Sequence, residues 1–267
     1  MAKFLLWSDL HKEMWDFTPP RPEDLGFKPD ALLIAGDTDT QLRHLTFAKE
    51  MSDMYDCPVV MVDGNHEFYH SYYHEFLEAE QEILKKMRAD GDRVHVLHGD
   101  EVEIAGVRII GASFWTDFNL NPASIFGARD LASQVMNDYR VIGLSRENPK
   151  LLTPADTIGF HLEEKARVWK HLQTPYPGPT LVMTHHLPIK QAIHKKYLHH
   201  KLNSAFASDL AHEIMEFDFD TWVYGHSHEN NEVELEALDG TLRRFLSNPR
   251  GYEGETRLFD PCRCIEV

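Results

Sequence analysis

Cysteine, basic side chains and long apolar runs are all scarce in this sequence. Only Cys57, Cys262 and Cys264 are present, an odd number that does not suggest a disulfide framework. No stretch approaches the roughly 18 apolar residues of a transmembrane helix. The chain enters a predicted strand at Phe4 without a basic segment or a cleavage site, so we expect no signal peptide. A cytoplasmic protein is the simplest interpretation.

Acidic side chains outnumber basic ones. The 267 residues include 27 Lys and Arg against 43 Asp and Glu, which gives a formal net charge of −16. Such a surface repels long polyanions, so a groove that follows many phosphates of a nucleic acid is not expected. A small phosphorylated substrate is still allowed as a partner, and we expect no membrane partner. The length predicts a single α/β domain, residues 1–267, with an inserted segment.

Five short polar runs each follow a short apolar stretch. In chain order they are Asp9-Leu10-His11, Gly36-Asp37, Gly64-Asn65-His66-Glu67, His185-His186 and Gly225-His226-Ser227-His228. The apolar stretches before them lack polar alternation and predict strands buried on both faces. In sheets of this kind, ligand groups lie on the loops just beyond the strand ends. The sequence therefore predicts one cluster of Asp, Asn and His side chains drawn from five distant places.

The order of these motifs, D-x-H, G-D, G-N-H-E, H-H and G-H-x-H, resembles that of the calcineurin-like metallophosphoesterases, a family of dinuclear metal phosphoesterases. The resemblance extends from Asp9 to His228, which is most of the chain. It implies an α/β fold of the αββα type, a two-sheet sandwich with helices on the outer faces. The alternative is that each motif is an ordinary turn or helix cap. That alternative would have to produce all five motifs in the family's order by chance.

The resemblance also implies a set of metal ligands. Asp9, His11 and His228 would hold one divalent ion, Asn65, His185 and His226 would hold a second, and Asp37 would lie between the two ions. Oxygen and imidazole ligands without thiolate suit Mn²⁺, Fe and Zn²⁺, and Mn²⁺ is our first expectation. Two such ions leave room for a bridging hydroxide that attacks a phosphoester.

His66 directly follows a ligand, but in the family the equivalent residue is not a ligand. The resemblance implies that His66 faces the substrate and either protonates the leaving oxygen or stabilises the transition state. General acid catalysis of this type contributes roughly 10²–10⁴-fold. Asp39, or alternatively Glu67, would orient His66 through a second hydrogen bond. His186, next to a ligand, would line the substrate pocket or merely pack.

The stretches between the motifs predict the remaining elements. Their apolar spacing predicts helices at residues 41–55, 71–89, 154–172 and 204–217. Hairpins are predicted at residues 102–115 and 232–247. Residues 116–153, rich in Asn, Pro, Gly and Arg, are expected to be an insertion near the active site, with Arg129 and Arg140 binding the substrate. The alternative is a surface excursion that only covers a sheet edge.

The residues around the second and third motifs bear on the type of ester. Protein phosphatases of the family carry Asp-Arg-Gly after the second motif and an Arg after G-N-H-E. Here residues 36–40 read G-D-T-D-T, and Phe68-Tyr69 follow Glu67. A phosphodiester carries one charge less than a monoester and needs no such Arg, so a phosphodiesterase of small substrates is favoured. The alternatives are a catalytically silent scaffold and a phosphomonoesterase whose cation comes from elsewhere: Arg129, Arg140 or Arg250.

Overall fold

The structure is a computed structural model of the chain, and it describes residues 1–255 and 258–267. These residues form eleven strands: β1 (Lys3–Trp7), β2 (Ala31–Ala35), β3 (Val59–Val62), β4 (Val94–Val96), β5 (Asp100–Ile104), β6 (Val107–Ala112), β7 (Thr180–Thr184), β8 (Thr221–Tyr224), β9 (Glu232–Glu236), β10 (Leu242–Ser247) and β11 (Cys264–Glu266). They also form seven α-helices: α1 (Arg43–Tyr55), α2 (Tyr73–Ala89), α3 (Ile125–Val135), α4 (Asp138–Val141), α5 (Pro154–Leu172), α6 (Asn203–Phe206) and α7 (Ala211–Ile214). Short 3₁₀ helices occupy parts of the connections: Pro22–Asp24, His66–Phe68, Pro122–Ser124, Lys190–Ala192 and Lys195–Tyr197.

The strands are arranged in two mixed sheets. The first has the order β11-β1-β2-β3-β4, in which β1 to β4 are parallel and β11 is antiparallel to β1. The second has the order β5-β6-β7-β8-β10-β9. Its four inner strands are parallel, and its edge strands β5 and β9 are antiparallel to their neighbours. The carboxyl ends of parallel strands meet at one edge of a sheet, so the loops that follow them can build a common site.

Apolar side chains fill the space between the sheets and cover their outer faces. Successive residues of a strand point to opposite faces. Phe4 and Leu6 of β1 accordingly join side chains of β6, β7 and β8 in one cluster between the sheets. Leu5 and Trp7 of the same strand pack on the outer face with side chains of α1. The outer face of the second sheet packs against α5. The predicted two-sheet sandwich with helices on its outer faces is confirmed.

The predicted helices differ in how well they match the structure. α5 begins and ends as predicted, because Thr153 and Asp156 form a capping box and Pro154 occupies the first turn. The single helix predicted at residues 204–217 is wrong, since α6 and α7 are separated there. Ala207 is extended and forms a β-bridge with Leu187, and this pairing interrupts the helix.

Both predicted hairpins are present, and residues 116–153 are more regular than expected. Strands β5 and β6 are joined by Ala105 and Gly106, which both have positive φ, as a tight two-residue turn requires. Strands β9 and β10 pair across a longer loop that includes Gly240. The segment 116–153 contains α3 and α4 and contributes to an aromatic cluster around Phe68 and Trp115. Among the described residues, no helix combines the length and apolar character needed to cross a membrane.

A network of buried ionisable side chains joins α1 and α2 to the segment after β4. The two carboxylate oxygens of Glu80 lie 2.7 Å from Nε2 of His44 and 2.7 Å from Nε2 of His98. Burial by itself lowers the pKa of each imidazole, but the hydrogen bond to Glu80 and the charge of Asp63 raise both pKa values to about 9. The spacing of His44, Asp63 and Glu80 would also suit a metal ion, but the hydrogen bonds of Glu80 account for both histidines without one.

Candidate metal centre

Five of the predicted ligands share an unusual backbone conformation at strand ends. Asp9 and His11 follow β1, Asp37 follows β2, and His226 and His228 follow β8, all with φ between 45° and 65°. The described chain has eleven non-glycine residues with positive φ, so these five are a large share of them. Strained backbone of this kind costs of order 1–3 kcal/mol per residue and tends to concentrate at functional sites. The backbone therefore points to the same residues as the motifs do.

The glycines of the motifs let these strand ends approach one another. A Cβ at Gly225 would lie 2.8 Å from Oδ2 of Asp9. A Cβ at Gly36 or at Gly64 would overlap the imidazole of His185. Since real Cβ atoms do not approach other atoms this closely, each of these positions needs glycine for the ligand side chains to meet.

Asp9, His11, Asp37 and His228 form the first group of ligand atoms, all within 4.8 Å of one another. The Nε2 atoms of His11 and His228 are 2.9 Å apart. Oδ1 of Asp9 lies 3.4 Å from Nε2 of His228. Atoms that each lie about 2.0–2.2 Å from one ion are separated from each other by about 3–3.5 Å. The observed spacings therefore suit one shared divalent ion.

Asp37, His185 and His226 form a second group, and the side chain of Asn65 adjoins it. Nε2 of His185 lies 3.1 Å from Nδ1 of His226 and 3.1 Å from Oδ1 of Asn65. Oδ2 of Asp37 lies 3.4 Å from the same nitrogen and 3.8 Å from Nε2 of His11 in the first group. The structure thus brings the seven predicted ligands together in two groups that share Asp37.

Hydrogen bonds to the far nitrogens hold the ligand imidazoles in place. Nδ1 of His185 is 2.8 Å from the carbonyl oxygen of Ala35, and Nδ1 of His228 is 2.6 Å from Oε2 of Glu255. Acceptors at these positions hold the proton of Nδ1, so Nε2 is the nitrogen available to an ion. Oδ2 of Asp9 is buried without a hydrogen-bond partner among residues 1–255 and 258–267. This donor set, with an unsatisfied carboxylate oxygen, fits divalent metal ions.

The two central carboxylates are ionised. Burial alone raises the pKa of Asp37, but the charges of His185 and His66 lower it well below its usual range. At Asp9 burial is also outweighed, by the hydrogen bond and the charge of His228, so its pKa is lowered too. A carboxylate must be ionised to bind a metal ion, so both residues have the form that a ligand needs.

His66 lies beside the first group, and both of its ring nitrogens have other partners. Nδ1 is 2.7 Å from Oε1 of Glu13, and Nε2 is 3.0 Å from the hydroxyl of Tyr252. Its ring stacks on Tyr69, with centroids 4.2 Å apart. The same oxygen of Glu13 is 3.3 Å from Nδ1 of His11, so one carboxylate supports both histidines. Sequence reasoning missed Glu13 and Tyr252, although Glu13 lies only two positions after the D-x-H motif.

The orienting hydrogen bond predicted for Asp39 is made by Glu13 instead. Oδ1 of Asp39 accepts from Nε of Arg43, four positions further along the chain, at 2.8 Å. Glu67, the alternative, is fully buried and accepts from the backbone amides of residues 37, 38 and 64. Glu67 therefore connects the second motif to the third by hydrogen bonds. Neither Asp39 nor Glu67 is the partner of His66 in this structure.

The side chain of Asn65 is oriented by a residue from the 116–153 segment. Its Nδ2 donates to Oδ1 of Asp138 at 2.8 Å and to the hydroxyl of Tyr69 at 3.2 Å. The Tyr69 hydroxyl in turn donates to Oδ1 of Asp138 at 2.8 Å. With both amide protons directed this way, Oδ1 of Asn65 faces His185 and the second ligand group. Asp138 is a further residue that sequence reasoning missed.

A cavity of about 300 Å³ opens over both ligand groups. Its lining includes Asp37, Asn65 and His66, together with residues 136–138 of the predicted insertion. The connection between β7 and α7, to which sequence reasoning gave no function, contributes seven lining residues: Leu187, Ile193, His194, Tyr197, His200, Asn203 and Phe206. Within the described part of the chain, no Lys or Arg lines the cavity.

The two arginines expected to bind substrate lie away from this cavity in the described structure. Arg129 is on α3, and Arg140 is exposed on α4, where its guanidinium donates to the carbonyl oxygen of Gln134. Only residues 136–138 of their segment reach the lining. The substrate-binding roles of Arg129 and Arg140 stay predictions.

His186 and Arg250 both make contacts within the protein. His186 is buried, its Nδ1 lies 3.1 Å from the carbonyl oxygen of Ser113, and its ring packs against His226. The substrate-binding role of His186 also stays a prediction. Nη1 of Arg250 donates to the carbonyl oxygen of Leu10 at 2.7 Å. The guanidinium of Arg250 thus stabilises the loop after β1 that carries Glu13.

The sequence profile of the family described as calcineurin-like phosphoesterase matches residues 2–230. The chain belongs to this family. Calcineurin-like phosphoesterases are metal-dependent hydrolases that use divalent ions, in agreement with the His and Asp groups described above. A search among curated proteins found no match.

Two solved structures resemble this calcineurin-like phosphoesterase. The phosphopantetheinyl hydrolase from Mycobacterium tuberculosis is 18% identical, with 95% of this chain and 91% of that chain covered and a TM-score of 0.70. A dimetal phosphatase from Danio rerio is 12% identical, with 92% of this chain and 86% of that chain covered and a TM-score of 0.44. The first likeness shows a shared fold, whereas the TM-score of the second structure is too low to support an argument.

Proposed function

We propose that this calcineurin-like phosphoesterase binds two divalent ions, with Asp37 between them, and hydrolyses small phosphodiesters. The observation that carries the proposal is the pair of buried ligand groups that share Asp37 beneath the cavity. When bound, two divalent ions would activate a water molecule and neutralise the charge of the phosphoryl oxygens. Mn²⁺ is the ion we expect first, with Fe or Zn²⁺ as alternatives.

In this proposal His66 is the general acid. Glu13 holds the proton of Nδ1, so the ring is fixed with Nε2 directed towards the Tyr252 hydroxyl and the cavity. A leaving-group oxygen that takes the place of the Tyr252 hydroxyl would receive a proton from Nε2. General acid catalysis of this type contributes roughly 10²–10⁴-fold.

The charges around the cavity support a diester rather than a monoester. A monoester dianion calls for a cation near the phosphate, and the described lining contains no Lys or Arg. Two additional carboxylates, Asp138 and Glu255, line the cavity and would repel a second negative charge. The guanidinium of Arg250, a possible source of this cation, donates its hydrogen bonds to backbone carbonyl oxygens instead.

A comparison of two chromogenic esters tests the proposal on protein loaded with Mn²⁺. We expect kcat/KM for bis(4-nitrophenyl) phosphate to exceed that for 4-nitrophenyl phosphate by at least about tenfold, since one less charge enters a cavity whose described lining has no Lys or Arg. The reverse preference would support the phosphomonoesterase alternative. Absence of turnover with both esters, at two bound ions per chain, would support the scaffold alternative. A single bound ion under metal-replete conditions would contradict the paired site.

We also propose a cellular location and a substrate size for this activity. The small number of cysteines supports a cytoplasmic location, and the three cysteines are not in disulfides in this structure. The net charge of −16 supports a small phosphorylated substrate over a long nucleic acid. Fractionation of cells that express the tagged protein would test the location.

A further inference from the structure

One connection contributes a group of apolar side chains to the cavity lining. Leu187, Ile193, Tyr197 and Phe206, which we call the apolar subsite, all line the cavity and all lie between β7 and α7. The ring of Phe206 stacks on that of the ligand His226, with centroids 4.4 Å apart and planes at 28°. The apolar surface therefore begins directly beside the second ligand group.

The connection that carries the apolar subsite is held in place by backbone hydrogen bonds. The amide of Leu187 donates to the carbonyl oxygen of Phe206 at 3.1 Å, and the amide of Ser208 donates to the carbonyl oxygen of Leu187 at 3.0 Å. Ile193 packs partly into the cluster on the outer face of the second sheet. A surface fixed before binding needs little ordering when a ligand arrives, and this favours binding.

The described lining around the apolar subsite contains carboxylates and no Lys or Arg. The nearby Lys196 does not line the cavity; its Nζ is 2.7 Å from Oε1 of Glu229 and 4.9 Å from the ring centroid of Tyr197. The carboxylates of Asp138 and Glu255 are in the lining. A second phosphate on the substrate would meet these carboxylates without a described cation, whereas an uncharged apolar group would bury its surface against four apolar side chains.

We propose that the apolar subsite binds an aryl or branched alkyl substituent of the phosphodiester. This inference rests on the proposed function, because it assumes that the phosphate lies over the ligand groups. The cavity volume of about 300 Å³ is at the low end for ligand pockets, so the substituent is small. The substrate class is then a small diester with one apolar arm, rather than a dinucleotide or a polyphosphate.

Esters that share one leaving group test the inference. The metal-loaded protein should cleave 4-nitrophenyl phenyl phosphate with a kcat/KM about tenfold above that for methyl 4-nitrophenyl phosphate, the effect of burying roughly two methylene groups. Tyr197→Ala and Ile193→Asn should each reduce this ratio towards one. Leu198→Ser changes an exposed neighbour outside the cavity lining and should keep the ratio.

A binding measurement separates failure of the subsite from failure of the proposed function. Calorimetry on the metal-loaded protein compares monoethyl phenylphosphonate with monoethyl methylphosphonate, two monoanions that differ only in the apolar group. We expect about tenfold tighter binding of the phenyl compound, and this preference should be lost in Tyr197→Ala and Ile193→Asn. If no ester is cleaved but the preference is observed, the subsite stands and the hydrolase proposal fails. Equal binding of both compounds, or a preference unchanged in both variants, would overturn the inference.

Discussion

Replacing Glu13 with glutamine would show whether Glu13 acts by orienting His66 or by helping to bind metal ions. The carboxylate of Glu13 lies 2.7 Å from Nδ1 of His66 and 3.3 Å from Nδ1 of His11. Burial alone would raise the pKa of Glu13, but the hydrogen bonds with the two histidines lower it to about 2. Glutamine keeps the shape and an acceptor oxygen but removes the charge.

The size of the effect follows from the loss of a charged acceptor. A hydrogen bond to a charged group contributes about 1.5–3 kcal/mol, against about 0.5–1.5 kcal/mol for a neutral one. Glu13→Gln should therefore weaken the hydrogen bond that orients His66 by about 1–1.5 kcal/mol. That loss corresponds to a decrease in kcat of about five- to tenfold. Because Glu13 does not line the described cavity, KM should stay near its original value.

Steady-state kinetics of bis(4-nitrophenyl) phosphate cleavage, with metal content measured in parallel, would test this reasoning. His66→Ala alone should keep both metal ions and lose roughly 10²–10⁴-fold in kcat. If Glu13 acts through His66, the double variant should be no slower than His66→Ala. Glu23→Gln, a change at an exposed carboxylate ten positions further along the chain, is the control. Additive losses in the double variant, or loss of metal in Glu13→Gln, would refute the assignment.

Three further predictions concern the ligands and the buried network. Asp37→Ala should lose metal and activity together, because Asp37 belongs to both groups; two ions retained per chain would contradict its shared position. Asp138→Asn should weaken metal affinity by about 10–100-fold through Asn65, and an unchanged metal titration would argue against that support. The pKa of His44 rises from an unfolded value of about 6.5 to about 9, and that of Glu80 falls from 4.5 to about 2, so their pairing stabilises the fold fully between about pH 4.5 and pH 6.5 and is lost as pH rises through about 9. The Tm should therefore fall as the pH rises from about 6.5 to about 9, and Glu80→Gln should flatten the fall; parallel curves for the two proteins would show that the pair does not cause it.

The clustering of these Asp, Asn and His side chains could be predicted from the sequence because each motif follows an apolar run that has to be buried. The assignment of individual residues to each ion came from the family resemblance. Parallel strands place their carboxyl ends at one edge of a sheet, so residues that follow different strands come together there. His11 and His228 are 217 positions apart in the chain, yet their Nε2 atoms are 2.9 Å apart. The helix at residues 154–172 was predictable for a local reason, since its cap and its apolar spacing lie within the segment itself.

Local patterns failed where the surroundings determine the backbone. Residues 204–217 have helical spacing, but Ala207 pairs with Leu187 from the end of β7 and stays extended. Asp39 was expected at His66, but Arg43, four positions further along the chain, takes the carboxylate. The pairing of Ala207 is visible only when the neighbouring chain segments are in place, whereas the partner of Asp39 lies close to it in the sequence.

The sequence by itself determined the family, the two-sheet fold and the residues at the strand ends, because burial and strand direction constrain them strongly. Only the tertiary structure decided what surrounds those residues. Glu13 and Tyr252 are 53 and 186 positions from His66 in the chain, and both are within hydrogen-bonding distance of its ring. The loops that carry Glu13, Tyr252 and the apolar subsite have no periodicity that would reveal their direction. They come together around the two ligand groups, and that proximity is set by the order and packing of the two sheets.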